Sequence, residues 1–143
     1  MGEARKVLDQ LTEAFFTQDY AAVEKLYAPD VVAVTPDQGE LKGAGEVIEY
    51  TKQFIGAFPD VKYEPEFKHE SGNTAIDEGW IVGTNSGALA LPTGETLPAT
   101  GKRVRVRSAD IATVENGRVT SHRFYFDQME FLGQLGMLPE APS

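Results

Sequence analysis

The chain has 143 residues, of which 41% are hydrophobic and 24% are charged, values typical of a single globular domain. Its formal net charge of -9 at pH 7 disfavours a nucleic-acid partner, whose phosphates it would repel. The absence of cysteine excludes disulfides, a thiolate nucleophile and a Cys-based metal site. No stretch has the pattern of a signal peptide or a membrane span, so we expect a cytoplasmic protein with no membrane partner.

The first part of the chain predicts three helices and one strand. Apolar residues at helical spacing predict a helix over residues 3–17 and another over residues 44–57. Between them, Asp19 is a suitable N-cap for a short helix that Pro29 would end. The β-branched run at residues 31–35 predicts a strand.

The second part predicts a meander of four strands and a closing helix that ends at Gly136. The strands are predicted over residues 61–70, 74–85, 102–115 and 118–127. Between the second and third, residues 87–101 form a long loop of the kind that often serves as a lid. Helices followed by antiparallel strands indicate an α+β fold, with a curved, mostly antiparallel sheet in one domain over residues 1–143.

The strand at residues 118–127 ends in a carboxylate with two compatible roles. Asp127 followed by Glu130 is the signature of a helix capping box. Strand alternation also places Asp127 on one face with Tyr125 and Arg123, as a small acid/base site would require. One oxygen of the Asp127 carboxylate can cap the helix while the other faces a pocket.

A second carboxylate, Asp110, lies inside a predicted strand, where aspartate is disfavoured. Its phase matches that of Val104, Val106 and Ser108, which predicts a side chain that faces a pocket. The alternative is an ion pair with a neighbouring arginine. Two carboxylates in one apolar cavity would have separated pKa values, giving one acid and one base, and this makes Asp110 the predicted partner of Asp127.

Several short phrases occur in a characteristic order along the chain. They are LYAPDVV at residues 26–32, AFPD at 57–60, GTNSG at 83–87, NGRV at 116–119 and YFD at 125–127, with QLG at 134–136. With these phrases the chain resembles the SnoaL-like polyketide cyclase family, within the nuclear transport factor 2-like superfamily. The resemblance covers roughly residues 4–137.

The resemblance implies a cone, in which the sheet wraps around the N-terminal helices and encloses an apolar pocket for a small hydrophobic ligand. It implies that a carboxylate at the position of Asp127 acts as general acid/base in an intramolecular aldol-type ring closure, without metal or cofactor. The family often has histidine where this chain has Asn85. The alternative is a non-catalytic module of the same fold, which binds a small molecule or dimerises.

The predicted catalytic residues are therefore Asp127 and Asp110. The predicted substrate-binding residues are Tyr125, Arg123, Trp80, Asn85, Tyr50, Phe54 and Phe15. No metal site is predicted, since the chain has only two histidines, His69 and His122. A homodimer is predicted, because no helix remains to cover one face of the sheet.

Two other chemistries of the same fold fit the residues less well. Limonene-type epoxide hydrolases match at Asp127 but carry an Arg-x-Asp motif where this chain has Gly79, Trp80 and Ile81. The ketosteroid isomerase pattern is matched at Asp110 alone of its three positions.

Overall fold

In the computed structural model, residues 2–90 and 94–137 are described, and they form four helices and eight strands. The helices are α1 (Glu3–Phe16), α2 (Tyr20–Leu26), α3 (Gly43–Ala57) and α4 (Gln128–Gln134). The strands are β1 (Tyr27–Thr35), β2 (Gly39–Lys42), β3 (Lys62–Ser71), β4 (Thr74–Thr84), β5 (Leu89–Ala90), β6 (Thr96–Leu97), β7 (Arg103–Glu115) and β8 (Arg118–Phe126). Among these helices, none combines the length and apolar character that crossing a membrane requires.

Six strands form one curved sheet in the order β2-β1-β8-β7-β4-β3. Strands β3, β4, β7 and β8 are consecutive antiparallel neighbours, as the meander predicts. The sheet is nevertheless mixed, because β1 lies parallel to β8. Helices α1 and α3 pack on the sheet, α1 against β3, β4, β7 and β8 and α3 against β1. The predicted α+β cone is confirmed.

Three boundaries differ from the predictions. Helix α2 ends at Leu26, and β1 begins at Tyr27 rather than at Val31. Pairing between β1 and β8 is interrupted between Tyr27 and Val32, around Pro29, which has no N–H to donate to a ladder. The predicted turn after β1 contains β2, and the predicted loop over 87–101 contains the short hairpin β5–β6, whose residues 91–93 lie outside the described part of the chain.

Helix α4 completes the edge of β7 beyond the end of β8. Strand β8 ends opposite Ser108, so the backbone groups of Arg105 and Arg107 on that edge have no strand partner. The backbone N–H of Asp127 donates to the Arg107 carbonyl (3.1 Å), and Glu130 Oε1 accepts from the Arg107 N–H (3.1 Å). The Gln134 amide accepts from the Arg105 N–H (2.6 Å) and donates to its carbonyl (2.9 Å). Residues 127–134 therefore supply, mainly through side chains, the hydrogen-bond partners that a neighbouring strand would otherwise provide.

The interior contains two hydrophobic clusters. One joins α1, α2, α3 and the sheet, and includes the buried Leu8, Leu11 and Val31. The other surrounds Phe58 and Leu135, where α4 meets the end of α3. Phe124 packs on the first cluster, and Phe126 packs on the second. Phe124 and Phe126, two residues apart on β8, therefore connect the two clusters.

A buried ion pair ties α1 to β4. Arg5 is 6% exposed and Asp77 is 1% exposed, and Arg5 Nη2 lies 2.6 Å from Asp77 Oδ1. The same guanidinium donates to Asp9 Oδ1 (2.7 Å) and to the carbonyls of His69 and Ile76 (both 3.3 Å). Burial, followed by the charge of Asp110, raises the pKa of Asp77. Arg5 is thus the counter-charge that allows Asp77 to stay ionised inside the protein.

We expect Arg5→Met to lower the free energy of unfolding at pH 7 by about 3–5 kcal/mol, because it leaves a buried carboxylate without its partner. The loss should shrink as the pH falls, since the pKa of Asp77 is raised in the folded state and protonation removes the buried charge. Urea denaturation at several pH values measures both effects.

The double variant Arg5→Met, Asp77→Leu is the matched control. It removes both charges and should recover much of the lost stability, because an apolar pair of similar volume avoids the desolvation cost. A single variant as stable as the wild type would contradict the assigned role of Arg5.

Candidate functional site

Two small cavities occupy the space between the helices and the sheet. The first has a volume of about 100 Å³ and lies between α1 and the strands β3, β4, β7 and β8. The second, of about 110 Å³, is bordered by α3. The two cavities share Ile81, Phe124 and Phe126 as lining residues, and their other walls are mostly aromatic or aliphatic. They form an apolar site inside the cone.

A third cavity, of about 220 Å³, adjoins this apolar site. It shares Tyr50, Phe54, Phe126 and Phe131 with the second cavity, and Leu89 of β5 lies at its margin. Tyr50 donates a hydrogen bond to Asp37 Oδ1 (2.9 Å), which holds the start of the β1–β2 turn against α3.

Three polar side chains form a hydrogen-bonded chain at the sheet side of the first cavity. The Tyr27 hydroxyl lies 2.7 Å from His122 Nδ1, and His122 Nε2 lies 2.7 Å from Asp110 Oδ2. Tyr27 is 1% exposed and His122 is 1% exposed, whereas the Asp110 side chain is 17% exposed and borders the cavity. The chain therefore runs from the core to a carboxylate at the cavity wall.

The direction of these hydrogen bonds follows from the tyrosine. Burial, followed by the charge of Asp110, raises the pKa of the Tyr27 hydroxyl far above its usual range, so Tyr27 keeps its proton. Nδ1 of His122 is the only acceptor that the described residues offer this hydroxyl, so Tyr27 donates there. Nε2 of His122 carries the N–H that donates a hydrogen bond to Asp110 Oδ2. Oδ1 of Asp110 has no hydrogen-bond partner among the described residues.

A second carboxylate lies next to Asp110 on the neighbouring strand. Asp77 of β4 pairs in register with Asp110 of β7. Side chains at paired positions project from the same face of the sheet. The pKa of Asp77 is raised by burial and by Asp110, while Arg5 opposes the shift. The two neighbouring carboxylates at this site are thus Asp110 and Asp77. The negative charge of Asp77 is compensated by the positive charge of Arg5.

The structure brings Asp110 together with His122, and not with Asp127 as the sequence predicts. Asp127 is an exposed N-cap of α4, where its Oδ1 accepts a hydrogen bond from the Glu130 N–H (2.9 Å). The predicted capping role is present in the structure. The reciprocal half of the capping box is absent because Glu130 accepts from Arg107, and Asp127 donates its own N–H to the Arg107 carbonyl.

The predicted substrate-binding residues divide between two faces of the sheet. Phe15 borders the first cavity, and Tyr50 and Phe54 border the second. Trp80 lies on the outer face, because it alternates with the cavity-lining Ile81, and the Arg105 guanidinium stacks 3.8 Å from its ring centroid.

On β8, the cavity side belongs to His122, Phe124 and Phe126, so the structure does not place Arg123 in this constellation. Arg123 alternates with His122 and forms no ion pair with either catalytic candidate. Tyr125 borders the first cavity and is 46% exposed.

Asn85 is fully buried, and its hydrogen bonds are all made within the protein. Its amide donates to the carbonyls of Ala57 (3.2 Å) and Gly87 (2.9 Å), and its Oδ1 accepts from the Thr100 N–H (2.9 Å) and hydroxyl (2.8 Å). Asn85 therefore holds the loop over 86–101 against the end of α3. Gly87 is required beside it, because a Cβ there would collide with the Gly56 carbonyl.

His122 and Tyr27 belong to the site although the sequence did not single them out for it. The signal for His122 was its strand phase, which groups it with Phe124 and Phe126 on one face. Tyr27 carried no such signal, because it looks like the last apolar residue of a helix. Within the described residues, no group of three His, Asp or Glu side chains is arranged to hold a metal ion.

One comparison with known proteins identifies the family. The model of the SnoaL-like domain matches residues 8–122 of this chain. No curated protein sequence gives a significant match.

Three solved structures illustrate the range of related proteins. A protein from Jannaschia sp. CCS1, assigned as a SnoaL-like polyketide cyclase, has 16% identity and a TM-score of 0.83, covering 96% of this chain and 94% of its own. IdmH from Streptomyces antibioticus, assigned as a polyketide cyclase, has 22% identity and a TM-score of 0.80, covering 94% and 99%. An LEH-like epoxide hydrolase of M. tuberculosis has 18% identity and a TM-score of 0.69, covering 94% and 90%. At these identities the likeness establishes the shared fold.

We expect Asn85→Ala to lower the free energy of unfolding by about 2–3 kcal/mol, since it leaves buried backbone groups without partners. Thr100→Val is the matched control. It removes the hydroxyl bond to Asn85 and an exposed bond from the Lys102 N–H, and it keeps the other three contacts of Asn85, so its cost should be about 1 kcal/mol. Chemical denaturation compares the two, and equal losses would contradict a central role of Asn85 in holding the loop.

Proposed function

Because the chain belongs to the SnoaL-like domain family, we propose that it catalyses a cofactor-independent proton transfer on a hydrophobic carbonyl compound. The proposed overall reaction is an intramolecular aldol-type ring closure of a polyketide-like ester. The observation that carries this proposal is the Asp110 carboxylate, which borders an apolar cavity and is held from behind by His122 at 2.7 Å.

Asp110 is the proposed general base. Its Oδ1 is the oxygen left to accept a proton from a carbon next to the ligand's carbonyl group. That transfer breaks the C–H bond, forms an O–H bond on Asp110 and leaves the electron pair on the ligand as an enolate. The enolate carbon then attacks a second carbonyl of the same molecule, and Asp110 returns its proton to the new alkoxide.

His122 and Tyr27 support Asp110 as positioning residues. The Nε2–H of His122 donates to Oδ2, which fixes the orientation of the carboxylate and directs Oδ1 to the cavity. Tyr27 selects the imidazole tautomer that can do this, because its hydroxyl donates to Nδ1. The arrangement orients a base before the ligand arrives, which is one source of catalytic efficiency.

The shape of the interior supports a hydrophobic ligand. The first two cavities are about 100 and 110 Å³ and adjoin a third of about 220 Å³, all lined chiefly by apolar side chains. Sites for drug-sized ligands generally measure about 300–1,000 Å³, so a polyketide-like ligand would occupy all three. Its reacting carbon would lie in the first cavity, next to Asp110.

We expect Asp110→Asn to abolish catalysed exchange of the protons next to the carbonyl of acetophenone in D2O, because an amide cannot act as the base. Proton NMR measures the loss of the methyl signal with time. Acetophenone is a suitable probe because it is a small aromatic ketone, so the test does not depend on the natural substrate.

Asp127→Asn is the matched control for this experiment. Asparagine is as good an N-cap as aspartate, so helix α4 and the fold should be retained, and exchange should continue at the wild-type rate. Loss of exchange in Asp127→Asn, with activity retained in Asp110→Asn, would instead assign the acid/base role to Asp127. If the wild type binds acetophenone without exchanging its protons, the chain is a ligand-binding module.

A homodimer formed through the outer face of the sheet is a separate proposal. On that face Phe67 is 53% exposed, and acidic Glu64 lies beside basic Arg105. A surface that carries both charges next to an exposed aromatic ring can pair with a second copy of itself. Sedimentation at micromolar concentration should give the mass of a dimer, and Phe67→Glu should shift it to the monomer. A monomeric wild type contradicts this proposal.

A further inference from the structure

The hydroxyl of Tyr63 is a buried polar group with no hydrogen-bond partner among the described residues. Tyr63 lies on β3, its ring stacks on Phe16 of α1 at 6.3 Å between centroids, and it borders the first cavity together with Asp110 and His122. Its oxygen is shielded from solvent and makes no hydrogen bond with a described residue.

The other interior tyrosines show how unusual this is. The hydroxyl of Tyr27 is bonded to His122 and that of Tyr50 is bonded to Asp37, both within 2.9 Å. A buried hydroxyl usually has a partner because leaving one unbonded costs free energy. A group that carries this cost at a cavity wall is suited to bind a ligand atom.

The surroundings of Tyr63 keep it a hydrogen-bond donor. Burial raises the pKa of its hydroxyl, and the charges of Asp110 and Asp77 raise it further, although Arg5 opposes them. The hydroxyl therefore holds its proton throughout the neutral range. A protonated hydroxyl can donate a hydrogen bond to an acceptor oxygen. That bond becomes stronger as negative charge develops on the oxygen.

We propose that Tyr63 binds the carbonyl oxygen of the ligand and stabilises the enolate oxygen that forms when Asp110 removes the adjacent proton. This inference rests on the proposed function for the chemical step, whereas the binding of the oxygen stands independently. Tyr63 enters the cavity from β3, and Asp110 enters it from β7, with β4 between them. A carbonyl group between these two strands presents its oxygen to the donor and its neighbouring C–H bond to the base.

The position of Tyr63 also assigns an orientation to the ligand. Tyr63, Thr12 and Phe16 belong both to the first cavity and to an open groove between α1 and β3, which carries the charged side chains of Asp9 and Lys68. The oxygen-bearing end of the ligand therefore points to this polar groove, and its apolar remainder extends along Phe124 and Phe126 toward α3.

The test compares acetophenone with ethylbenzene, which has the same shape but no oxygen, by calorimetric titration of the wild type and of Tyr63→Phe. We expect Tyr63→Phe to weaken acetophenone binding about three- to tenfold, the value of one hydrogen bond, and to leave ethylbenzene binding unchanged. Tyr20→Phe, which removes a tyrosine hydroxyl outside the cavities, should leave both affinities unchanged.

Thermal denaturation supplies a second readout that does not depend on a ligand. Tyr63→Phe should melt at or above the wild-type temperature, because no bond within the protein is lost, whereas Tyr27→Phe should melt below it. An unaltered affinity of Tyr63→Phe for acetophenone, or a wild type that binds neither probe, overturns the proposal. If the binding difference is found but the wild type catalyses no proton exchange, the oxygen site stands and the proposed reaction fails.

Discussion

The structure depends on the pairing of strand β7. This strand spans Arg103–Glu115 and is bonded to β4 on one side and to β8 on the other, so it is the interior strand on which both the meander and the site are built. Its edge toward β8 is longer than β8 itself. The side chains of Glu130 and Gln134 and the backbone N–H of Asp127 satisfy the remaining groups, and this fixes α4 against the end of β7.

The same strand determines where charge is tolerated in the interior. Asp110 faces inward from β7, next to Asp77 on β4. Two carboxylates this close are stable only if each has its own compensation. Arg5 supplies it for Asp77, and the Tyr27–His122 chain supplies it for Asp110. The interior thus contains one carboxylate engaged in an ion pair and one with an oxygen free at a cavity wall.

A shared fold does not by itself identify a reaction. Structures assigned as polyketide cyclases and an LEH-like epoxide hydrolase share the architecture with this chain at 16–22% identity. In this chain the first cavity is bordered by a histidine-supported aspartate and by a tyrosine whose hydroxyl has no hydrogen-bond partner among the described residues. Under the proposed function, the aspartate would take the proton and the tyrosine would bind the enolate oxygen.

Local pattern was sufficient for several features. Alternation along residues 102–115 predicted that Asp110 faces inward, because strand side chains alternate between faces wherever no bulge intervenes. The pair Asp127 and Glu130 predicted a capped helix, since capping requires only residues close in sequence. The order of helices and strands, with the family phrases, predicted the cone.

Other features depended on contacts between residues distant in sequence. Tyr27 contacts His122, which is 95 residues away in the sequence, because β1 lies parallel to β8. No turn connects these two strands directly, so the sequence does not indicate that they pair. Trp80 lies outside and Ile81 inside, although both are apolar, because the curved sheet decides which face is enclosed. Asn85 stands where the family often has histidine, and its side chain is bonded to the end of α3 and to the loop. By itself the sequence predicted the fold, and it gave the inward-facing Asp110 as one of two alternatives. The tertiary structure alone decided its partners, because hydrogen bonds across a sheet depend on which strands become neighbours.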